Sequence, residues 1–283
     1  MKVAVGIFST PVWTLDPRYV EALRARFPGV EFVQAFDHAA FGDAIADADV
    51  VFGSMVREES FARARRLKWI HSSAAGVGAS MFPALVRSGV IVTNSRGVQS
   101  RAIAEHILTV ILMWRRRLHV AMRRQASRIW AQEEFGPLAP PPLAGLRVLI
   151  VGMGSIGGEA RRLLEPIGMR VSGVGRTARD GQAGVDDLPR LLPDADAVVI
   201  TAPHTPETEH LFNADLLGRM RPGSLLVNVG RGRIIDEGAL VEALRRGRPG
   251  TAALDVFERE PLTAASPLWD LDEVILTPHV AGF

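Results

Sequence analysis

The run Val151-Gly152-Met153-Gly154-Ser155-Ile156-Gly157 follows directly on the apolar stretch Leu146-Arg147-Val148-Leu149-Ile150. Strand, glycine turn and helix in that order are what a dinucleotide-binding crevice needs. Gly152 permits the tight turn and Gly154 lets backbone N–H groups approach a pyrophosphate. Gly157 lets the following helix, expected over Ser155 to Ile167, pack closely on the strand. Glycine-rich turns are common; the matching flanks on both sides separate this one from a plain tight turn.

The second strand reads Arg170-Val171-Ser172-Gly173-Val174 and ends in Gly175-Arg176-Thr177-Ala178-Arg179. A chain built for NAD places Asp or Glu near that point, about 20 residues past the glycines, to hold the ribose hydroxyls. No carboxylate stands there. Two guanidiniums, Arg176 and Arg179, with the Thr177 hydroxyl suit a 2′-phosphate, which an aspartate would repel. The expected cofactor is NADP (as NADPH) in preference to NAD. The alternative is that both arginines are solvated loop residues in an arginine-rich protein.

At 283 residues, 47% apolar and 23% charged, the chain has the composition of an ordinary soluble globular protein of one large or two ordinary domains. It carries no run apolar enough to span a membrane and its start has no signal-peptide layout, so a cytoplasmic location is expected. Without cysteine there is no disulfide, thiolate metal site or cysteine nucleophile. The pI of 9.6 accompanies a net charge of only +2. All basic residues but Lys2 and Lys68 are arginine, which lifts the pI without creating a strongly cationic protein. The densest basic run, Arg115-Arg116-Arg117 with Arg123-Arg124 and Arg128, has no accompanying nucleic-acid-binding motif and reads as a solvated or subunit-facing helix surface.

Short β-branched runs alternate with helical patterns from end to end. That pattern predicts an α/β fold: two doubly wound parallel-sheet domains, Rossmann-like and flavodoxin-like, with a cleft between them. Expected strands in the first third are Lys2–Phe8, Val30–Ala35, Val50–Phe52, Trp69–His71 and Val90–Thr93; later ones are Ala197–Thr201, Leu225–Val229, Ala252–Asp255 and Val274–Leu276. A long helix is expected over Gln99–Arg124, with Ile103, Ile107, Val110, Ile111 and Trp114 on one face. The proline-rich segment from Phe135 to Pro142 cannot continue it. The long helix reads with the nucleotide domain, giving domains of 1–94 and 95–283.

Three motifs stand at expected strand ends, where a ligand in the crevice is met. In Asn228-Val229-Gly230-Arg231-Gly232, two glycines remove side-chain bulk around a guanidinium able to grip a carboxylate and polarise an adjacent carbonyl. Asp236 reads equally as a helix N-cap or a functional acid. The second motif runs from Asp255 to Glu260-Pro261, and the third is Thr277-Pro278-His279-Val280-Ala281-Gly282. A His–carboxylate pair made from His279 and Glu260 is a natural proton donor to a carbonyl receiving hydride; a structural histidine fits the same spacing.

Together these motifs resemble the D-isomer-specific 2-hydroxyacid dehydrogenases, most closely their glyoxylate/hydroxypyruvate reductase-like members. The resemblance also rests on Val92-Thr93-Asn94-Ser95-Arg96-Gly97, Ile103-Ala104-Glu105-His106 and Pro203-His204-Thr205-Pro206-Glu207-Thr208. It implies Arg231, Glu260 and His279 as catalytic residues. Cofactor contacts would come from Gly152, Gly154, Ser155, Ile156, Gly157, Arg176, Thr177, Arg179, Pro203, Thr208, Val229 and Asp255, the last holding the nicotinamide amide. The substrate carboxylate would meet the backbone of Ala75, Gly76 and Val77, together with Arg231. Glu258 is a decoy by this match, because the family glutamate immediately precedes the proline.

The implied activity is NAD(P)H-dependent reduction of a small 2-oxo acid to a D-2-hydroxy acid. Retention of the triad is also compatible with a non-catalytic, dinucleotide-sensing corepressor on the same fold. A homodimer through the long helix is implied, although intramolecular packing explains the same apolar face. No metal is expected. The family pattern continues past the histidine motif into a helix that returns to the first domain; the sequence here ends at Phe283.

Overall fold

In the computed structural model, residues 1–7, 15–77, 81–135, 142–178 and 182–283 are described. Their contacts divide the chain into two units, Met1–Val98 and Gln99–Phe283, so the division precedes the proline-rich segment, most of which lies outside the described residues.

The first unit is a parallel sheet of β1 (Lys2–Gly6), β2 (Glu31–Gln34), β3 (Val50–Gly53), β4 (Trp69–Ser72) and β5 (Ile91–Asn94). Its order, β2-β1-β3-β4-β5, is the doubly wound arrangement of flavodoxin-like proteins. Successive residues of β1 face opposite layers: Ala4 joins Phe41, Ile45, Val51 and Ile70, whereas Val3 and Val5 meet Val20 on the other side. The helix carrying Val20 (Pro17–Arg26) starts at Asp16, whose carboxylate accepts the Arg18 N–H.

The second unit holds β6 (Arg147–Val151), β7 (Arg170–Gly175), β8 (Ala183–Gly184), β9 (Ala197–Ile200), β10 (Leu225–Asn228), β11 (Thr251–Leu254) and β12 (Val274–Leu276). They lie in the order β12-β11-β10-β9-β6-β7-β8, all parallel. The chain winds outward from β6 through β8, then returns to the other side of β6 at β9. The β6–β9 junction is therefore the switch point, with its crevice at the strands' carboxyl ends. Both faces are apolar, as a parallel sheet covered by helices requires. Leu149, Val151, Val198, Ile200, Leu226 and Leu254 face one layer, and Val148, Ile150, Val199, Val227, Ala253 and Ile275 the other.

Two helix expectations need correction. The helix expected over Gln99–Arg124 is interrupted: it runs Ser100–Arg115, and a second runs Leu118–Ala126. Arg117 between them is left-handed at φ 53°. Its guanidinium donates to the Glu134 carbonyl at 2.7 Å and lies 5.0 Å from the centre of the Phe135 ring, long-range contacts that no helical periodicity encodes. The apolar face of Ser100–Arg115 is buried within its own unit, where Ile107 and Ile111 share a core with Ala160 and Leu164. The glycine-turn helix is α-helical only over Ser155–Leu164, continuing as a 3₁₀ turn at Glu165–Ile167. Pro166, which has no N–H, stands at that junction.

Among the described residues no helix is long and apolar enough to cross a membrane.

Candidate active site

The glycine turn lies at the switch point. Gly152 has φ 108°, and a Cβ there would fall 2.5 Å from the Ala202 backbone nitrogen just past β9. A Cβ on Gly157 would fall 2.4 Å from the Gly152 carbonyl oxygen, so helix and turn touch backbone to backbone. Gly154 is the N-cap of the helix and supplies no side-chain cap; it and Ser155 are exposed. The N–H groups of the first turn thus face outward at the positive end of the helix dipole, a fit for a pyrophosphate. Ile156 packs partly into the core beneath.

At the end of β7, Arg176 and Thr177 are exposed, and the Arg176 charge helps to hold the Glu207 carboxyl below the usual range, after the larger effect of its bond with Thr205. Arg179 lies outside the described residues. Past β9, the Thr208 hydroxyl accepts the Thr205 N–H at 2.7 Å and donates to the Pro203 carbonyl at 2.9 Å, closing the turn that presents Pro203. Val229, 7% exposed, is part of the core at the end of β10.

Arg231 follows β10 on a loop organised by Asn228. The buried Asn228 amide donates to the Arg231 carbonyl and accepts the Gly230 N–H, both at 3.0 Å. The Arg231 guanidinium is exposed and bonds through Nη1 to the Gly230 carbonyl at 2.7 Å; its planar fork carries further donors suited to a carboxylate. Gly232 packs directly on the next loop, for a Cβ would lie 1.8 Å from the Phe257 carbonyl carbon. Asp236 is the N-cap of the helix Glu237–Arg245, its carboxylate accepting the Ala239 N–H at 2.9 Å.

His279 and Glu260 meet. The imidazole Nδ1 is 2.7 Å from Glu260 Oε2, and Glu260 Oε1 accepts the Phe257 N–H at 3.0 Å. With the carboxylate ionised, Nδ1–H is the donor and Nε2 faces away from the pair. The bond to Glu260 raises the imidazole above its ordinary range, against burial, with the Asp255 charge adding and Arg231 subtracting. Burial pushes the Glu260 carboxyl up, but the bonds from His279 and Phe257 outweigh it and leave that carboxyl below the usual range.

Asp255, 2% exposed, holds the histidine loop. Its carboxylate accepts from Thr277 Oγ1 at 2.6 Å, the Val280 N–H at 2.9 Å and the Ala281 N–H at 3.0 Å. In this geometry Asp255 serves the Thr277–Ala281 loop first. Asn228 and Thr277, which open two of the motifs but have no role there by sequence, share one signal: each is polar at or just past the end of an apolar strand.

In the first unit, Ala75 and Gly76 are exposed on the loop after β4; the Asn94 amide donates to the Ala75 carbonyl at 2.7 Å. Val77 is the last described residue before Gly78.

Residues 108–281 match the family pattern described as "D-isomer specific 2-hydroxyacid dehydrogenase, NAD binding domain". The chain belongs to the D-isomer-specific 2-hydroxyacid dehydrogenase family. Glyoxylate/hydroxypyruvate reductase B of Pectobacterium atrosepticum is 33% identical over 261 residues, spanning 88% of this chain and 79% of that protein. D-3-phosphoglycerate dehydrogenase of Synechocystis is 32% identical over 262 residues, 89% of this chain but only 46% of that longer protein. The crystal structure of a D-isomer-specific 2-hydroxyacid dehydrogenase from Xanthobacter autotrophicus Py2, in complex with NADPH and MES, superposes with a TM-score of 0.83 at 32% identity, covering 99% of this chain and 89% of that one. The family is one of oxidoreductases with a nicotinamide dinucleotide cofactor, and the crevice at β6 and β9 has the backbone geometry for one.

Proposed function

We propose that this 2-hydroxyacid dehydrogenase is an NADPH-preferring reductase of small 2-oxo acids of the glyoxylate or hydroxypyruvate type, forming the D-2-hydroxy acid. The observation that carries the reading is the 2.7 Å contact between His279 and Glu260 on the loops following β12 and β11. A nicotinamide held in the crevice would supply the reducing hydride. The protein's part is to hold the acid and to protonate its oxygen. Arg231 takes the substrate carboxylate and carbonyl oxygen, stabilising the charge that develops there. The imidazolium of His279 gives its Nε2 proton to the forming alkoxide, and Glu260 keeps that imidazolium charged and oriented. Glycines 152, 154 and 157 with Ser155 and Ile156 form the pyrophosphate cradle. Pro203, Thr208, Val229 and Asp255 shape the floor around the nicotinamide, and Arg176 with Thr177 and Arg179 takes the 2′-phosphate.

Absorbance assays of NADPH consumption with glyoxylate, hydroxypyruvate and pyruvate, run beside NADH, test this. Turnover with NADPH well above NADH is expected. Tight NADPH binding with no turnover on any 2-oxo acid would favour a dinucleotide sensor instead.

The same reading takes the protein as a homodimer. With the face of Ser100–Arg115 buried internally, the surface offered is Leu118, Met122, Ile129 and Trp130, the last 89% exposed. Light scattering should return twice the 30.7 kDa chain mass, and a monomeric mass at working concentration would end the idea.

A further inference from the structure

Glu258, passed over by the family match, is bonded to a second glutamate in a reciprocal pair. The Glu237 N–H donates to Glu258 Oε1 at 2.9 Å, and the Glu258 N–H donates to Glu237 Oε1 at 2.6 Å. Glu237 opens the helix Glu237–Arg245, and a first-turn N–H has no acceptor within its helix. A carboxylate arriving from another loop satisfies it and meets the positive end of the helix dipole.

The pair also joins two of the three segments that carry proposed catalytic side chains, those of Arg231 and Glu260. Gly232, next to Arg231, lies against Phe257 and Glu258, where a Cβ would be 2.4 Å from the Glu258 nitrogen. His210 Nε2 lies 3.3 Å from Glu258 Oε1, and the His210 N–H donates to the Arg233 carbonyl at 2.8 Å. Beyond Glu258 the turn closes through the Phe257 N–H on Glu260 Oε1, which leaves Oε2 for His279.

We propose that Glu258 and Glu237 are positioning residues: their paired bonds fix the 257–260 turn so that Glu260 reaches His279. The inference rests on the reductase reading for its consequence in turnover, but its geometry is independent of that reading. Both side chains act as acceptors of a backbone N–H, so glutamine fills either role while alanine fills neither. Burial, with the charges of Glu258 and Glu260 adding, raises the Glu237 carboxyl, which favours tolerance of the neutral isostere there.

The decisive measurement is the His279 imidazole titration, followed by ¹⁵N NMR of ring-labelled full-length protein and assigned with His279→Asn. The charged groups acting on that ring are Glu260, Asp255 and Arg231. Glu258→Ala should lower the His279 pKa and reduce kcat by about 10- to 100-fold, with the NADPH Kd changed less than about twofold. Glu258→Gln should restore the parental titration and rate. Glu258→Asp keeps the charge but is too short to span the same distance; it should lower the His279 pKa in the same way and replaces the alanine variant if that one does not fold. An unchanged His279 titration in folded Glu258→Ala or Glu258→Asp protein would overturn the proposal, as would failure of Glu258→Gln to rescue. Absence of turnover in the parental protein would sink the reductase reading, and the titration would still decide the positioning one.

Discussion

Asp255 holds His279 in a left-handed backbone conformation: its carbonyl oxygen accepts the His279 N–H at 2.9 Å, with His279 at φ 56°. Such a conformation costs a non-glycine residue about 1–3 kcal/mol and persists only where the surroundings over-determine it. Here the same aspartate's carboxylate takes the next two N–H groups, those of Val280 and Ala281.

Asp255→Asn turns one acceptor into an NH₂ group facing a backbone donor. Leaving a buried donor unsatisfied costs about 1–3 kcal/mol, so denaturant melts should show a loss of that size. Turnover should fall by more than NADPH affinity does. The reverse, intact kcat with lost cofactor binding, would return Asp255 to the nicotinamide alone.

Reduction needs the His279 imidazolium, so kcat/KM should fall as pH rises through the His279 pKa, which Glu260 raises. Glu260→Gln removes that effect and should move the fall-off to lower pH. The pair also links stability to pH. The Glu260 share fades as pH drops through its lowered folded pKa, and the His279 share is full only below the unfolded imidazole value. The melting-temperature difference between parent and Glu260→Gln should therefore peak at about pH 5–6 and be small, because both side chains are partly exposed. A fall-off unmoved by the substitution would separate Glu260 from proton transfer.

His279→Ala should reduce turnover by at least about 100-fold, the usual scale of a lost general acid. Isothermal titration with NADPH should give an affinity close to the parent's, since the glycine turn is untouched. Retained turnover would remove the histidine from the proposed role.

Arg176 is exposed just past β7, in the stretch Gly175-Arg176-Thr177-Ala178-Arg179, whose sequence holds no acidic residue to repel a 2′-phosphate. Arg176→Ala should weaken NADPH by about 10-fold or more, the worth of a charge-assisted bond, and leave NADH unchanged. An unaltered NADPH-to-NADH ratio would make it a solvated loop arginine.

Much of this was legible in the chain itself. β6, β9, β10 and β11 are short apolar runs that a doubly covered parallel sheet demands, and each was bounded to within a residue or so. The meeting of His279 and Glu260 followed from motif order, because both stand just after adjacent parallel strands. The break at Arg117 did not follow. Helical periodicity runs through it, whereas the contacts of the Arg117 guanidinium with Glu134 and Phe135 come from a later segment of the chain.

Sequence alone thus determined the elements and the chemistry available at their ends, since hydrophobic period, glycine placement and side-chain type act over a few residues. Tertiary structure decided which groups serve one another. Glu258 and Glu260 are both loop carboxylates, marked apart along the chain by the proline after Glu260, yet nothing local says that one bonds the Glu237 N–H and the other reaches His279. That assignment depends on Gly232 and Phe257 touching backbone to backbone, a long-range approach set by packing rather than by any pattern along the chain.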